Sequence, residues 1–297
     1  MHNRVASVHI YAVLSMMLWG LSYIWSKVVF EYIGPAGTIL LRLFISSLFL
    51  WAVSSILGQR QKIHRNDIKL FLLSSLFNPF LYFIGESYGL NLVSPVLSAV
   101  IVATIPVFMP VVAFFFLRER LKPINIIGLF ISFAGVLVMI IRPDLSLAAS
   151  PAGIALLFGA VGSALVYGIL LRKLTNYYNP LTIITIQNTI GVFYFLPVVL
   201  LFEFESITTF TPDWRMLTSL FALGIFASSL AYVFYTKTVK ALGIARANIY
   251  TNLIPVFTAF FSFAILNENL NTAKIAGILL VMGGVVLSQR NKVVNSG

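Results

Sequence analysis

Residues 105–136 (IPVFMPVVAFFFLRERLKPINIIGLFISFAGV) recur 149 positions later as residues 254–285 (IPVFTAFFSFAILNENLNTAKIAGILLVMGGV). The alignment needs no gap, and it matches Pro106 with Pro255, Glu119 with Glu268, Gly128 with Gly277 and Gly135 with Gly284. Apolar runs match by chance at Leu, Ile and Val, but not readily at proline, glutamate and glycine in fixed order. The chain is therefore an internal duplication, and any fold must accommodate two copies of one unit.

Composition says what kind of unit it is. The 297 residues are 59% hydrophobic and 10% charged, with a mean hydropathy of +0.96. Soluble domains carry about 45–50% apolar and about 25% charged residues, so this is an all-α integral membrane protein. Ten stretches are long enough to be transmembrane helices: 8–28, 35–57, 70–90, 95–117, 123–141, 151–171, 180–202, 214–235, 244–266 and 272–287. The first is expected to be an uncleaved signal anchor. With no cysteine there is no disulfide framework and no thiolate metal site. The net charge of +11 resides in short loops, where lipid headgroups and orientation account for it and nucleic acid does not.

Those loop charges set the expected orientation. With the N-terminus cytoplasmic, the inner segments hold fifteen cations: Arg4; Arg60, Lys62, Arg65 and Lys69; Arg118, Arg120 and Lys122; Arg172 and Lys173; Lys237, Lys240 and Arg246; Arg290 and Lys292. The outer segments hold four, Lys27, Arg142, Arg215 and Lys274. Both termini are thus expected in the cytoplasm of a plasma-membrane (inner-membrane) protein. Residues 1–142 form a first five-span repeat, 143–150 an outer linker, and 151–297 a second repeat with a short cytoplasmic tail. An odd number of spans per copy inserts the second upside down. Inverted repeats place a binding site near the bilayer midplane, where the halves meet.

The ordered features resemble the drug/metabolite transporter superfamily, in its EamA-like branch of ten-helix bacterial exporters. They are Trp19-Gly20 followed by Ser22 in the first span, Arg42 in the second, Pro106-Val107 and Pro255-Val256, Glu119 and Glu268 ending the fourth and ninth spans, and the glycine-rich fifth and tenth. The resemblance covers essentially the whole chain. It implies an inner-membrane carrier that exports small metabolites, often amino acids, through a cavity lined mainly by the first, third, fourth, sixth, eighth and ninth helices. One departure is that Ala164 and Leu165 stand where the second copy would repeat Trp-Gly.

Ionisable groups at membrane depth are costly, which singles out Arg42 and Glu86. Both lie towards the outer side, and they form an ion pair if their helices adjoin. They read as an outer gate or as a clamp on a zwitterionic solute; the competing reading is a structural pair, or an arginine that snorkels to the interface. Asn78, Tyr82 and Glu86 share one helical face beside Pro79, which is expected to kink that helix. Ser228, Tyr232, Tyr235 and Thr236 form the counterpart stripe. Asn248 and Asn252 precede Pro255 and oppose Ala99 and Ala103 of the first copy, so two amides are available to an amino or carboxyl group, or else to a neighbouring helix. Pro106 and Pro255 read as hinges. Trp19, Ser22 and Tyr23, with Ser163 and Tyr167, would make an aromatic slot. Gln187, which matches Arg42 at a shift of 145, reads as structural.

Neither a Walker loop, a His-Glu-x-x-His pair nor a serine-hydrolase motif is present, so neither ATP nor metal nor enzyme chemistry is expected, and no cofactor. The partners expected are a small-molecule substrate and the lipid bilayer. One chain suffices to enclose a cavity, and a homodimer is compatible with it. The reading is a secondary transporter working by alternating access, with Glu86 a candidate proton carrier; a facilitator, a lipid-carrier flippase or a non-transporting membrane assembly protein are the alternatives.

Overall fold

The structure, a computed structural model, describes residues 2–108, 112, 123–140 and 149–289, and every regular element among them is helical. α1 (His2–Phe30) and α2 (Pro35–Ile56) are followed by α3, residues 68–92, in which Leu76–Leu81 is π-helical between the α-helical Ile68–Ser75 and Tyr82–Leu92. α4 starts at Pro95 and is described to residue 108, with a turn at Ala103 and Thr104. α5 (Pro123–Ile140), α6 (Pro151–Tyr177) and α7 (Pro180–Phe202) lead to α8, residues 214–242, whose middle, Leu223–Ala231, is again π-helical. α9 covers residues 244–266 with a 3-10 stretch at Asn248–Asn252, and α10 is Thr272–Gln289. α1 to α3 and α6 to α9 are long and apolar enough to cross a membrane; the described parts of α4, α5 and α10 are shorter apolar helices. Glu119 with Arg118, Arg120 and Lys122, then Arg142 and linker residues 143–148, and Arg290 with Lys292 lie outside the described residues.

Local chemistry explains where the helices begin. α2, α4, α6 and α7 open on proline, whose missing N–H has no partner to lose in a first turn. Ser94, Ser150 and Asn179 cap the last three, and Asp213 caps α8.

The breaks obey the repeat. A shift of 149 carries residues 76–81 of α3 onto 225–230, inside the π-helical part of α8, and the turn of α4 onto residues 252–253 of α9. Pro79 forces the first break: Asn78, which precedes it, takes extended angles (φ −147°, ψ 119°). Pro106 and Pro255 each lack the N–H that would bond back across the turn before them.

Contact between α5 and α10 shows the two-fold relation directly. A methyl group on Gly135 would lie 2.8 Å from the Gly277 carbonyl oxygen, and one on Gly284 2.6 Å from that of Gly128. The sequence pairs 128 with 277 and 135 with 284; in space they meet crosswise, as the self-complementary contact of a two-fold demands.

Each half also fastens a loop onto the other. On the face where α1 starts and α10 ends, here the terminal face, the Tyr178 hydroxyl donates to Asp67 Oδ2 (2.6 Å) and accepts from the His64 N–H (3.1 Å). On the opposite, distal face the Tyr32 hydroxyl donates to Asp213 Oδ2 (2.5 Å). A shift of 146 turns Tyr32 into Tyr178 and Asp67 into Asp213, so these are one bond made twice. The Tyr32 hydroxyl first, and then the Met216 N–H, hold the Asp213 carboxyl below the ordinary carboxylate range. That contribution to stability is therefore whole at neutral pH and is lost as pH falls through the lowered value.

The α5–α10 contact yields a prediction with its own control. Gly284→Ala sets a methyl 2.6 Å from two backbone atoms, whereas Gly283→Ala meets nothing within 4 Å. Overpacking of this kind costs about 1–3 kcal/mol, so the first variant is expected to unfold several degrees below the wild type in detergent and the second at or above it.

Candidate functional site

Seven helices converge on one cavity of about 70 Å³. A water needs about 10–15 Å³ on this scale, so the space suits a few waters or a small solute. α1 presents Trp19, Ser22 and Tyr23 from one face; α2 presents Arg42; α3 gives Asn78, Tyr82, Phe83 and Glu86. From the second half come Tyr167 of α6, Tyr232 and Tyr235 of α8, and Asn248 and Thr251 of α9. Val102 and Ile105 of α4 and Ile254 of α9 supply aliphatic wall. The resemblance implied six lining helices; α2 joins them through Arg42.

Arg42 is 2% exposed and has no carboxylate within ion-pair distance among the described residues. Its Nε donates to Ser228 Oγ at 2.7 Å, and its guanidinium carbon sits 4.6 Å from the Phe83 ring centre. Ser228 is itself fixed, because Asn188 Nδ2 donates to its carbonyl oxygen (2.9 Å) and to Ser46 Oγ (2.7 Å). Glu86, 7% exposed, faces the Tyr23 hydroxyl and senses Arg42 across the cavity. The ion pair considered from sequence is thus not made; the two charges share one cavity without touching.

Aromatic rings make up much of the rest of the wall. Trp19 lies 4.9 Å from Tyr232 and 5.1 Å from Tyr235 between ring centres, and its indole Nε1 is buried without an acceptor among the described residues. Asn78 Nδ2 donates to the Tyr232 hydroxyl (3.4 Å), and the Tyr235 hydroxyl donates to Asn248 Oδ1. The Tyr167 hydroxyl donates to Gln187 Oε1 (3.1 Å), and Gln187 Nε2 continues to Ser74 Oγ (3.0 Å), which gives Gln187 a structural part. Beside Trp19, a methyl on Gly20 would meet Phe257 Cβ at 2.7 Å, so glycine is what lets α1 press against α9.

Ser163 and Asn252 stand apart from the cavity lining. The Ser163 hydroxyl donates to the Phe77 carbonyl oxygen (2.6 Å), which also accepts the Tyr82 N–H across the π-helical turn of α3. Asn252 is buried one turn beyond Asn248, with its Oδ1 unpartnered. Pro79 and Pro106 serve their helix breaks, and Pro255 is buried in α9. Sequence reading passed over Phe83, Thr251 and Asn188. A buried asparagine one residue after the glutamine that matches Arg42 was the available signal for Asn188.

Taking a charged group out of water costs several kcal/mol, which hydrogen bonds such as Arg42–Ser228 only partly offset. The double variant Arg42→Met/Glu86→Gln is accordingly expected to unfold at the wild-type temperature or above it, as read by thermal denaturation in detergent. A clear loss of stability would mean the two groups hold the fold.

Comparison with known proteins converges on one family. The profile of the EamA-like transporter family matches residues 6–141 and again residues 151–289. An uncharacterized transporter of Archaeoglobus fulgidus is 27% identical over 282 residues, 94% of this chain and 97% of that protein. The uncharacterized transporter YvbV of Bacillus subtilis is 27% identical over 276 residues, 92% and 88% of the two chains. A WAT1-related protein of Arabidopsis thaliana is 24% identical over 239 residues, 73% of this chain and 59% of that one. A solved crystal structure of 16% identity superposes with a TM-score of 0.70 over 95% of this chain and 98% of the other, a likeness of fold.

Proposed function

The chain belongs to the EamA-like transporter family, and from that premise we propose that it exports a small zwitterionic metabolite of the amino-acid class across the plasma membrane. The observation that carries the reading is the pair Arg42 and Glu86, buried in one cavity with opposite charge and no mutual contact. A solute carrying a carboxylate and an ammonium group supplies each with the partner it lacks. The fixed Nε of Arg42 leaves its two terminal nitrogens for a carboxylate, the bidentate geometry that arginine favours. The Trp19 indole N–H is a further donor in the same wall. The Trp19, Tyr232 and Tyr235 rings, with Val102, Ile105 and Ile254, receive an apolar side chain.

The mechanism that goes with this site is alternating access between the inverted halves, with both termini cytoplasmic as the loop charges predict. The four symmetric helix breaks lie beside the cavity and are where the helices bend. Glu86 is the one carboxylate lining the cavity among the described residues and is the candidate coupling group for protons.

The test is flux of labelled amino acids, with and without a pH gradient, in proteoliposomes of the purified protein. Saturable movement is expected. A hydrogen bond to a charged group contributes about 1.5–3 kcal/mol, so Arg42→Met and Glu86→Gln are each expected to raise KM by about 10- to 100-fold. The decarboxylated and deaminated analogues of the solute should compete more weakly by a similar factor. Equal competition by all three would refute the zwitterion clamp, and unchanged pH-driven flux in Glu86→Gln would refute proton coupling. Movement of a lipid-linked solute in place of amino acids would favour the flippase.

A further inference from the structure

Two contacts between the halves differ in a way that separates a pivot from a gate. Where α2 meets α7, both ends are fastened. On the distal face the Tyr32–Asp213 bond is joined by Glu203, which accepts from the Ala36 N–H (3.2 Å), the Gly37 N–H (2.8 Å) and the Tyr88 hydroxyl (2.5 Å). On the terminal face the Tyr178–Asp67 bond is joined by Asn179, whose N–H donates to Gln61 Oε1 (2.5 Å) and whose Nδ2 donates to the Gln59 carbonyl (2.7 Å).

Where α1 meets α9, only the terminal end is fastened among the described residues. The helices touch at mid-length, Gly20 against Phe257 and Thr258. On the terminal face His9 Nδ1 hydrogen-bonds the Tyr250 hydroxyl, and beside it Lys237 Nζ lies 4.9 Å from the Tyr11 ring centre and 5.8 Å from that of Phe234. On the distal face the chain around the same two helix ends borders a cleft of about 990 Å³, with Lys27 on one side and Leu266 and Glu268 on the other.

In an inverted-repeat carrier, passing from one open state to the other exchanges the conformations of the two halves. Bonds related by the repeat that alternated would therefore be found one made and one broken while a cleft is open on one face. Tyr32–Asp213 and Tyr178–Asp67 are related by the repeat, and both are made while the distal cleft is open. One such bond contributes only about 0.5–1.5 kcal/mol; the fastening comes from several acting on one edge. We propose that the α2–α7 edge is the pivot about which the halves turn, strapped on both faces by this repeated Tyr–Asp bond, and that His9 with Tyr250 closes the gate on the terminal face. The inference rests on the alternating-access reading but not on any particular solute.

Because the chain has no cysteine, introduced thiols are unique. Spin labels on the exposed neighbours Asn66→Cys and Tyr177→Cys report the strapped edge, and labels on Ile10→Cys and Ile249→Cys report the gate. Pulsed electron resonance is expected to find one narrow distance at the first pair and two populations at the second. Two populations at the strap, or one at the gate, would overturn the assignment. These distances need no substrate, so they decide the pivot even where flux is absent, and absent flux in the wild type counts separately against the transport reading. Where flux is measured, a reducible bis-thiosulfonate linker joining His9→Cys to Tyr250→Cys should stop it until reduced. The same linker joining Tyr178→Cys to Asp67→Cys should leave at least about half; blockage there would make the strap a gate.

Discussion

A carbonyl oxygen released by a broken helix finds no donor in hydrocarbon, so the protein itself must supply one. This constraint organises the molecule. At the break in α3 the Phe77 carbonyl accepts the Tyr82 N–H five residues on and, in addition, the Ser163 hydroxyl of the other half. In α8 the Gly224 and Ser228 carbonyls accept from the Ser229 hydroxyl and from Asn188 Nδ2 of α7. Each π-helical break thus gathers side-chain donors onto its carbonyls, and both breaks lie beside the cavity. The same groups that satisfy the backbone hold Ser228, and Ser228 holds Arg42.

The frame was legible in the sequence because it rests on few strongly constrained residues. Prolines at 35, 95, 123, 151 and 180 marked helix starts that the structure reproduces, since a proline is welcome in a first turn and awkward later. The repeated glycines at 128, 135, 277 and 284 gave the duplication, and only the structure shows that they meet crosswise. The kink at Asn78 followed from Pro79. Less was legible where the break has no proline: residues 223–231 contain none, and the π-helical turn there depends on Ser229 and Asn188 reaching carbonyls that no one-dimensional pattern marks.

Side-chain roles were legible only as far as helical faces go. The stripe Asn78, Tyr82, Glu86 lies on one face whatever the helix packs against, and all three line the cavity. Ser163 shows the limit, since one residue of rotation separates it from Ala164, which does line the cavity. The similar depth of Arg42 and Glu86 was readable, but their separation was not: whether two groups at one depth touch depends on which helix stands between them. Here Phe83 and Ser228 engage the guanidinium instead.

A symmetric frame with an asymmetric lining divides the work between backbone and side chains. Alternating access requires that the two halves be able to exchange conformations, which the matched breaks, the crosswise glycines and the repeated Tyr–Asp bond provide. Recognition of a small solute requires the reverse, because a two-fold-symmetric cavity would offer equal charges on both sides and could not distinguish the ends of a dipolar molecule. The chain breaks the symmetry where the chemistry needs it: Gln187 stands opposite Arg42, Tyr235 opposite Glu86, and Asn248 opposite Ala99. Both ionisable groups therefore come from one half, while the polar uncharged groups that complete the cavity come from both, so in the proposed cycle a bound solute would bridge the two halves.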